Sequence, residues 1–323
     1  MKRIVVAALI GLLTGGGGAV AETFPSRPIT IIVPFAAGGP TDTIGRILAQ
    51  HMTGTLGQAV VIENVTGAAG SIAVGRVARS ENDGYTVSIG HVGTHVINGA
   101  IYKLQYDLIT DLVPVALVAS NPQLIVSKKA IPADDLKGFI GWLKANPDKV
   151  TEGHAGVGSP SQVAGVYFQN QTGTRFQYVP YRGSGPIMQD MMAGQIDFTF
   201  DQAANSLPQV RGGTIKAYAV TASKRLAAAP EIPTVDEAGL PGFYISVWHG
   251  LWVPKGTPPE IIDKLAGAVK AALADDKVSA RLRELGQDIP PPHQQTPQAL
   301  GAMQKAEIAK WWPLIKAADI KVE

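Results

Sequence analysis

Short apolar runs that alternate with segments of helical periodicity constrain the fold of this chain more than any other feature of its sequence. Residues 27–35 read RPITIIVPF, and this run of β-branched residues between prolines predicts a buried strand. After the AAGGPTD loop, apolar residues recur at helical spacing at Ile44, Ile47, Leu48 and Met52. Strands that alternate with helices predict a parallel sheet covered by helices on both faces.

The same alternation continues along the chain, and its last third is mostly helical. Further strands are predicted at residues 59–63, 85–89, 124–126, 150–154, 177–179, 196–200 and 217–221. Helices are predicted from residue 42, with Thr41 as the N-cap, then up to residue 80 and at residues 136–145, 161–171, 186–192, 259–274, 278–285 and 297–317. No tandem repeat or low-complexity segment interrupts this order.

The length of the chain predicts two lobes rather than one core, because single cores rarely grow to this size. We expect the chain to cross between the lobes near Ala119 and near Lys224. Lobe 1 is then discontinuous and comprises residues 22–119 and 227–323, whereas lobe 2 comprises residues 120–226.

The N-terminal segment, residues 1–21, has the pattern of a secretory signal peptide. Lys2 and Arg3 precede an apolar run at residues 4–13, and the small residues at 19–21 form an A-x-A cleavage motif. The apolar run is too short to span a bilayer. We therefore expect cleavage after Ala21 and export. The sequence has no cysteine, which excludes a lipoprotein anchor and disulfides and fits a bacterial periplasm.

The charge balance argues against a nucleic-acid partner. The chain has 28 basic and 26 acidic side chains, so 26 of each remain once Lys2 and Arg3 are removed with the signal peptide. A nucleic-acid binder usually shows a basic excess or stripe, and none is visible. No later apolar stretch reaches the length of a membrane span.

Three glycine-rich loops between strands and helices are the main candidates for a binding site. They are residues 35–42 (FAAGGPTD), 153–161 (GHAGVGSPS) and 181–186 (YRGSGP). Glycine allows backbone N–H groups to approach a ligand, and the helix that follows offers unpaired N–H groups with partial positive charge. Such loops gather at the carboxyl ends of the strands, where an anion can bind. Each loop taken alone is also compatible with a plain tight turn, but three together favour binding.

Motifs of nucleotide-binding proteins and of common enzymes are missing from these loops. None reads G-x-G-x-x-G or carries G-K-[ST], which leaves carboxylates as the favoured anions. The G-x-S-x-G motif of hydrolases is also missing. His91 and His95 lack both the glutamate of H-E-x-x-H and a third ligand. We therefore expect no catalytic residue, no metal and no cofactor.

Other polar residues at strand ends are candidates for the same cleft. His91 and Thr94 follow the strand at 85–89, although they are also compatible with an ordinary turn. Asp197 and Asp201 share one face of a strand, as an acid–base pair would. We favour a different role for Asp201, which is to orient a loop or to accept a hydrogen bond from a ligand hydroxyl or amine. The five tryptophans are expected to pack in cores, with Trp248 and Trp252 near the cleft or hinge as the alternative.

Long stretches of the chain resemble a known receptor family. The stretches are RPITIIVPFAAGGPTDTIGRILA, DGYTVSIGHVGTH, VPYRGSGPIMQDMMAGQIDFTFD, and EIPTVDEAGLPGF followed by WHGLWVPKGTP. They resemble the solute-binding receptors of tripartite tricarboxylate transporters, also called TctC-like or Bug-type receptors. The resemblance covers essentially the whole mature chain in order.

The resemblance implies a periplasmic-binding-protein fold of type II, with two α/β lobes joined by a two-strand hinge around a ligand cleft. It implies small carboxylate ligands, which include citrate, C4-dicarboxylates, amino acids and aromatic acids. Together with the loops, it gives these expected ligand-binding residues: Phe35, Ala36, Gly38, Gly39, Thr41, Asp42, His91, Thr94, Gly156, Ser159, Ser161, Tyr181, Ser184 and Asp201. Pro40, Pro160 and Gln162 depart from the common family pattern, which leaves the side-chain contacts open.

These features predict a monomeric periplasmic receptor that closes on a small carboxylate and delivers it to membrane permease subunits. Two alternatives remain. The first is a periplasmic sensor that binds the same acid and reports to a membrane kinase. The second is an exported hydrolase, which is disfavoured because no nucleophile has a partnered base in the sequence.

Overall fold

A computed structural model describes residues 23–317 of the chain. The predicted signal peptide and its cleavage point lie outside the described residues. Within them, no helix is both long enough and apolar enough to cross a membrane.

The described chain forms nine strands and ten α-helices. The strands are β1 (Ile29–Val33), β2 (Val60–Asn64), β3 (Thr86–His91), β4 (Leu112–Lys128), β5 (Thr151–His154), β6 (Gln177–Pro180), β7 (Phe198–Gln202), β8 (Ile215–Val220) and β9 (Ser246–Pro254). The helices are α1 (Pro40–Leu56), α2 (Ser71–Ala78), α3 (Asn98–Ile101), α4 (Leu136–Ala145), α5 (Pro160–Thr172), α6 (Ser184–Met192), α7 (Ala203–Arg211), α8 (Pro259–Ala274), α9 (Asp276–Glu284) and α10 (Pro297–Ala317). A 3₁₀ turn at Ala68–Gly70 and a π-helical turn at Gly93–Ile97 complete the list.

The strands form two parallel cores that are joined by antiparallel strands. In the first, β1 pairs in parallel with β2 and β3, and in the second, β5 pairs in parallel with β6 and β7. β9 is antiparallel to both β3 and β4, and β7 and β8 are antiparallel to β4. The predicted two-lobed α/β fold is confirmed, but its sheets are mixed rather than purely parallel.

One long strand belongs to both lobes. The first part of β4 pairs with β9 as far as Pro122, and its last part pairs with β7 and β8 from Gln123 onward. The second crossing lies beside it, because Ser246 at the start of β9 pairs with Pro122. Two adjacent backbone segments therefore connect the lobes, which is the two-strand hinge expected from the resemblance.

Each lobe has its own apolar core. In the first lobe, Ile29 and Ile31 of β1 pack with Leu48 of α1 and Val269 of α8, and all are fully buried. In the second lobe, aromatic residues dominate, with Phe139 stacked on Tyr218 and edge-on to Phe198. Burying each such side chain contributes roughly 1.5–3 kcal/mol to folding. The two cores make each lobe a rigid support for its loops.

The structure differs from the local sequence expectations in three places. The strand predicted at residues 124–126 is the end of the 17-residue β4, and β9 was not predicted at all. Both strands are buried on both faces, so they lack the alternation that marks a strand. Helix α1 begins at Pro40 with Gly39 as its N-cap, not Thr41, because proline is favoured in the first helical position.

Candidate functional site

A pocket lies between the two lobes, next to the hinge. Lobe-1 loops line one side, residues of lobe 2 line the other, and Gln123 of β4 lies at the hinge. The lining residues are Phe35, Gly39, Pro40, Thr41, His91, Gln123, Ala155, Pro160, Ser161, Ser184, Phe200, Asp201 and Gln202. The glycine-rich loops of the two lobes therefore converge on one crevice, as the sequence predicts.

Four helix N-termini meet at this pocket. Thr41 lies in the first turn of α1, Ser161 in that of α5 and Ser184 in that of α6, while Gln202 is the N-cap of α7. Each N-terminus presents unpaired N–H groups and a partial positive charge. Among residues 23–317, no lysine or arginine lines the pocket. The arrangement suits a small anion that is bound by dipoles and hydroxyl groups.

Asp42 shapes the first loop from behind. Its Oδ2 accepts hydrogen bonds from the Gly38 N–H and from Arg46 Nε, each at 2.9 Å, and its Oδ1 accepts one from Asn64 at 2.9 Å. Burial by itself raises the pKa of Asp42, but the hydrogen bonds from Arg46, Gly38 and Asn64 outweigh it and lower the pKa. Asp42 is thus an ionised support of the loop and does not line the pocket.

His91 presents an N–H group to the pocket. Its Nδ1 accepts a hydrogen bond from the Gly93 N–H at 2.9 Å, so Nε2 carries the proton of the neutral ring. Burial lowers the pKa of His91 to about 3. Its ring stacks on Phe35, with 5.0 Å between the ring centroids. His91 is therefore a fixed, neutral donor on the wall of the pocket.

Thr41 is paired with a second buried histidine. The distance between Thr41 Oγ1 and His249 Nε2 is 3.2 Å, and His249 Nδ1 is buried with no hydrogen-bond partner in the described part of the chain. An unpaired buried N–H is rarer than an unpaired lone pair, which favours the tautomer with the proton on Nε2. His249 then donates to Thr41, and the hydroxyl hydrogen of Thr41 is free to point into the pocket.

Thr94 supports His91 rather than the pocket. It is fully buried in the π-helical turn, and its hydroxyl bonds to the backbone N–H and carbonyl of His91. The hydroxyl also lies 2.9 Å from His95 Nδ1. His91 ends β3, so the loop predicted there is a strand end followed by this turn.

Two serines begin α5 on the opposite side of the cleft. Ser159 is the N-cap and accepts a hydrogen bond from the Gln162 N–H. Ser161 Oγ accepts one from the Ala155 N–H at 3.1 Å and lies 3.0 Å from Ser159 Oγ. Ser161 lines the pocket and Ser159 stands behind it. The pair offers hydroxyl groups held by the backbone.

Asp201 is the acidic residue of the pocket. Its Oδ2 accepts hydrogen bonds from Asn205 at 2.8 Å and from Ser206 at 2.6 Å. Its Oδ1 is buried, and no hydrogen bond reaches it within the described part of the chain. Burial raises the pKa of Asp201 to about 6, although the hydrogen bonds from Ser206 and Asn205 and the polar groups of the Gln202 backbone and the Ser184 side chain nearby act to lower it.

The two lobes touch directly around the pocket. The Ala36 N–H donates to the Arg182 carbonyl at 3.0 Å, and the Tyr102 hydroxyl donates to the Val157 carbonyl at 2.7 Å. These bonds join loops of lobe 1 to loops of lobe 2. The lobes are therefore closed on each other in this structure.

The structure brings together half of the residues predicted for the site. The pocket is lined by Phe35, Gly39, Thr41, His91, Ser161, Ser184 and Asp201. A second cavity, which shares Phe35 and Ala155 with the pocket, is lined by Gly156 and Tyr181 together with Arg182 and residues 67–70. The remaining predicted residues line neither cavity: Ala36, Gly38, Asp42, Thr94 and Ser159.

Sequence reasoning missed several lining residues, of which Gln123, Gln202 and Phe200 are the most informative. Gln202 directly precedes a helix, as the recognised loop residues do. Gln123 stands between the apolar runs 115–119 and 124–126, and its 2% exposure shows that it is buried. The signal available in the sequence was a polar residue next to the proline at 122, whereas its burial is visible only in the structure.

In residues 23–317, no group of three His, Asp or Glu side chains is placed to hold a metal ion. His95 stacks on Trp252 with 3.6 Å between the ring centroids, and its Nδ1 faces Thr94. Trp248 and Trp252 are buried in the lobe-1 core, as predicted.

Known proteins are similar to this chain in both sequence and fold. A family model described as "Tripartite tricarboxylate transporter family receptor" matches residues 44–320. The periplasmic binding protein BugD, whose structure is known, is 38% identical to this chain in sequence. The match covers 93% of this chain and 100% of the BugD chain, with a TM-score of 0.89.

Two further solved structures carry ligands. MatC from Rhodopseudomonas palustris with bound malate is 41% identical in sequence. The match covers 90% of this chain and 100% of the MatC chain, with a TM-score of 0.87. Rpa4515 from R. palustris with adipate is 34% identical in sequence. The match covers 93% of this chain and 100% of the Rpa4515 chain, with a TM-score of 0.88.

Proposed function

We propose that this chain, which belongs to the tripartite tricarboxylate transporter receptor family, is a periplasmic receptor that captures a small organic carboxylate between its two lobes. The family model spans most of the chain, and it agrees with the resemblance in the sequence motifs. The pattern of a signal peptide at residues 1–21 and the likeness to the periplasmic binding protein BugD support export to the periplasm.

The observation that carries this proposal is the convergence of four helix N-termini on a pocket that no described lysine or arginine lines. Thr41, Ser161 and Ser184 add hydroxyl groups, and His91 adds an N–H group. A carboxylate accepts several such hydrogen bonds at once, and charge-assisted bonds of this kind are stronger than neutral ones. Malate in MatC and adipate in Rpa4515 are acids of this size, which supports the same ligand class for this chain.

Binding and release follow from the two-lobed architecture. Each lobe supplies part of the pocket, so a ligand is held by both only when the lobes are closed. We propose that the closed, loaded form docks on the membrane permease subunits of a tripartite transporter. Deleting the gene should abolish uptake of the bound acid, and uptake that persists at the wild-type rate would contradict this role.

The proposed role is not enzymatic, and the pocket supports that view. Thr41 and His249 form a hydroxyl–histidine pair in its wall. A nucleophile needs a base that is itself oriented by a third group, but no described residue bonds to His249 Nδ1, and burial lowers the pKa of His249 well below its usual value. Such a histidine is a poor general base at neutral pH.

Ligand binding to the mature protein, residues 22–323, tests the proposal. We expect malate, succinate, adipate or citrate to raise the melting temperature, because a ligand at about 100 times its Kd stabilises the folded state by about 2.7 kcal/mol. Neutral diamides of the same acids serve as ligand controls. A melting temperature that no carboxylate changes would refute carboxylate capture.

A matched pair of variants links binding to the pocket. Thr41→Val should weaken binding of the acid identified in that screen by roughly 10-fold or more, because a hydrogen bond to a charged group contributes about 1.5–3 kcal/mol. Thr55→Val is the control, since Thr55 is exposed at the other end of the same helix. Isothermal titration calorimetry measures both, and equal affinities for the two variants would remove Thr41 from the site.

A further inference from the structure

One oxygen of Asp201 is left without a hydrogen bond in the pocket wall. Oδ2 is held by Asn205 and Ser206, whereas Oδ1 is buried and receives no hydrogen bond from the described residues. A buried acceptor without a partner is costly, and a charged one more so. The two bonds to Oδ2 also fix the side chain, so Oδ1 cannot turn away to find another donor.

Two more unpaired acceptors line the same pocket. Gln123 Oε1 and Gln202 Oε1 are buried and make no hydrogen bond with residues 23–317. The two glutamines stand opposite each other in the antiparallel ladder of β4 and β7, and Leu124 stands opposite Asp201 in the next position. Buried polar atoms in proteins nearly always have partners, so three unpaired acceptors around one pocket indicate that a ligand supplies the missing donors.

A simple dicarboxylate cannot supply them. Ionised carboxylates only accept hydrogen bonds, and a second ligand carboxylate next to an ionised Asp201 meets like charge in a buried site. Donors that suit a ligand carboxylate come from both lobes, Thr41 and His91 from lobe 1 and the serines Ser161 and Ser184 from lobe 2. The unpaired acceptors belong to lobe 2 and to β4. The pocket therefore offers separate donors and acceptors to a single guest.

We propose that the preferred ligand is a carboxylic acid that also carries a hydroxyl or ammonium group, and that Asp201 Oδ1 accepts the hydrogen bond from that group. This inference rests on the proposed capture of carboxylates and narrows its ligand class. Asp201 is a specificity-determining residue: it favours 2-hydroxy and 2-amino acids over acids of the same length without a donor.

Matched acids test the proposal on the wild-type protein without any mutation. Succinate, malate and aspartate share a four-carbon skeleton and differ in one substituent, and glutarate, 2-hydroxyglutarate and glutamate form a five-carbon set. We expect the hydroxy or the amino acid of a set to bind at least 10-fold more tightly than its unsubstituted partner in isothermal titration calorimetry near pH 7.5. Tighter binding of malate than of aspartate identifies a ligand with a hydroxyl group, and the reverse order identifies a ligand with an ammonium group.

An isosteric variant then assigns the preference to Asp201. Asp201→Asn keeps an oxygen for Asn205 and Ser206 but places an NH₂ group where Oδ1 stood. The 10-fold preference should disappear, and succinate or glutarate should bind more tightly than to the wild type. Asp263→Asn, a substitution at an exposed position of α8, is the matched control and keeps the preference.

The outcomes separate this inference from the proposed function. If succinate, glutarate or adipate binds the wild type as tightly as every substituted acid, the chain is a carboxylate receptor but the role of Asp201 is refuted. If Asp201→Asn is folded by circular dichroism and keeps the full preference, the assignment to Asp201 is refuted as well. If no carboxylate binds at all, the proposed function itself fails.

Discussion

At the residue scale, three neutral histidines stand behind and beside the pocket. His91, His95 and His249 are all buried, and burial lowers the pKa of each. The rings of His91 and His249 are 5.6 Å apart, and Thr41 and Thr94 hold His249 and His95 through hydrogen bonds. Neutral rings provide polar contacts without adding charge to a site that already holds Asp201.

Acid should destabilise the protein through these histidines. The unfolded chain binds a proton at His91 below about pH 6.5, whereas the folded protein binds it only near pH 3, so the free energy of unfolding falls as the pH drops between these values. For His91 alone, the loss reaches about 2 kcal/mol at about pH 5. Urea denaturation at about pH 7 and pH 5 measures the fall in the free energy of unfolding. That fall should be smaller by this amount in His91→Gln than in the wild type.

The comparison needs a control because other groups titrate in the same range. Asp201 acts in the opposite sense, since its raised pKa relieves the cost of burying its charge as the pH falls from about 6 towards 3.8. That contribution is common to the wild type and to His91→Gln. His293→Gln, at an exposed position, should keep the wild-type loss. An unchanged loss in His91→Gln would contradict the buried neutral ring.

At the element scale, the glycine-rich loops do more than surround a ligand. A Cβ atom on Gly185 would lie 2.9 Å from the Ala37 carbonyl oxygen, and one on Gly183 would lie 3.1 Å from Ala36 N. These neighbours are backbone atoms of the opposite lobe, and they cannot rotate away as a side chain does. The glycines of the third loop therefore allow the two backbones to approach each other when the lobes close.

Gly185→Ala should weaken ligand binding without unfolding either lobe. Alanine suits the helical position of Gly185 in α6, but its methyl group would separate the loops that meet in the closed form. We expect at least a 5-fold loss of affinity by calorimetry, because ligands gain contacts from both lobes only on closure. Gly267→Ala in α8, where a Cβ has no neighbour within 4 Å, is the control. Equal affinities for the two variants would argue against this contact.

At the scale of the whole molecule, hydrogen bonds that join the lobes set the balance between open and closed forms. The Tyr102 hydroxyl reaches the Val157 carbonyl across the cleft, outside the pocket lining. Tyr102→Phe removes that bond and should lower ligand affinity roughly 3- to 10-fold, as a net hydrogen bond of about 1 kcal/mol predicts. Small-angle scattering of the ligand-free variant should show a larger radius of gyration. An unchanged radius and affinity would mean that this bond does not contribute to closure.

The position at which the chain returns from lobe 2 to lobe 1 is also a property of the whole molecule. The sequence places the return crossing at residues 226–227, and this boundary stays a prediction. Val235, Leu240, Phe243 and Ile245 pack in the same core as Phe139. From this packing we propose that lobe 2 extends to Ile245, and that the chain returns to lobe 1 where β9 begins at Ser246.

The sequence by itself determined the features that depend on neighbours along the chain. The periodicity of residues 27–56 specified a buried strand and an amphipathic helix, and the glycines before each helix marked where a ligand site would form. Family motifs spread along the chain identified the fold class. These signals are local because hydrophobic periodicity and turn preferences are set within a few residues.

Only the tertiary structure decided which of those residues meet. β9 and the first half of β4 are buried on both faces, so no alternation revealed them, and their pairing joins residues that are more than a hundred positions apart. The contact of Gly185 with the opposite loop depends on the packing of one lobe against the other. The tautomer of His91 and the bonds that hold only one oxygen of Asp201 depend on how the turns after their strands fold back. Such relations follow from which side chains exclude water together, and the order of residues in the sequence does not record them.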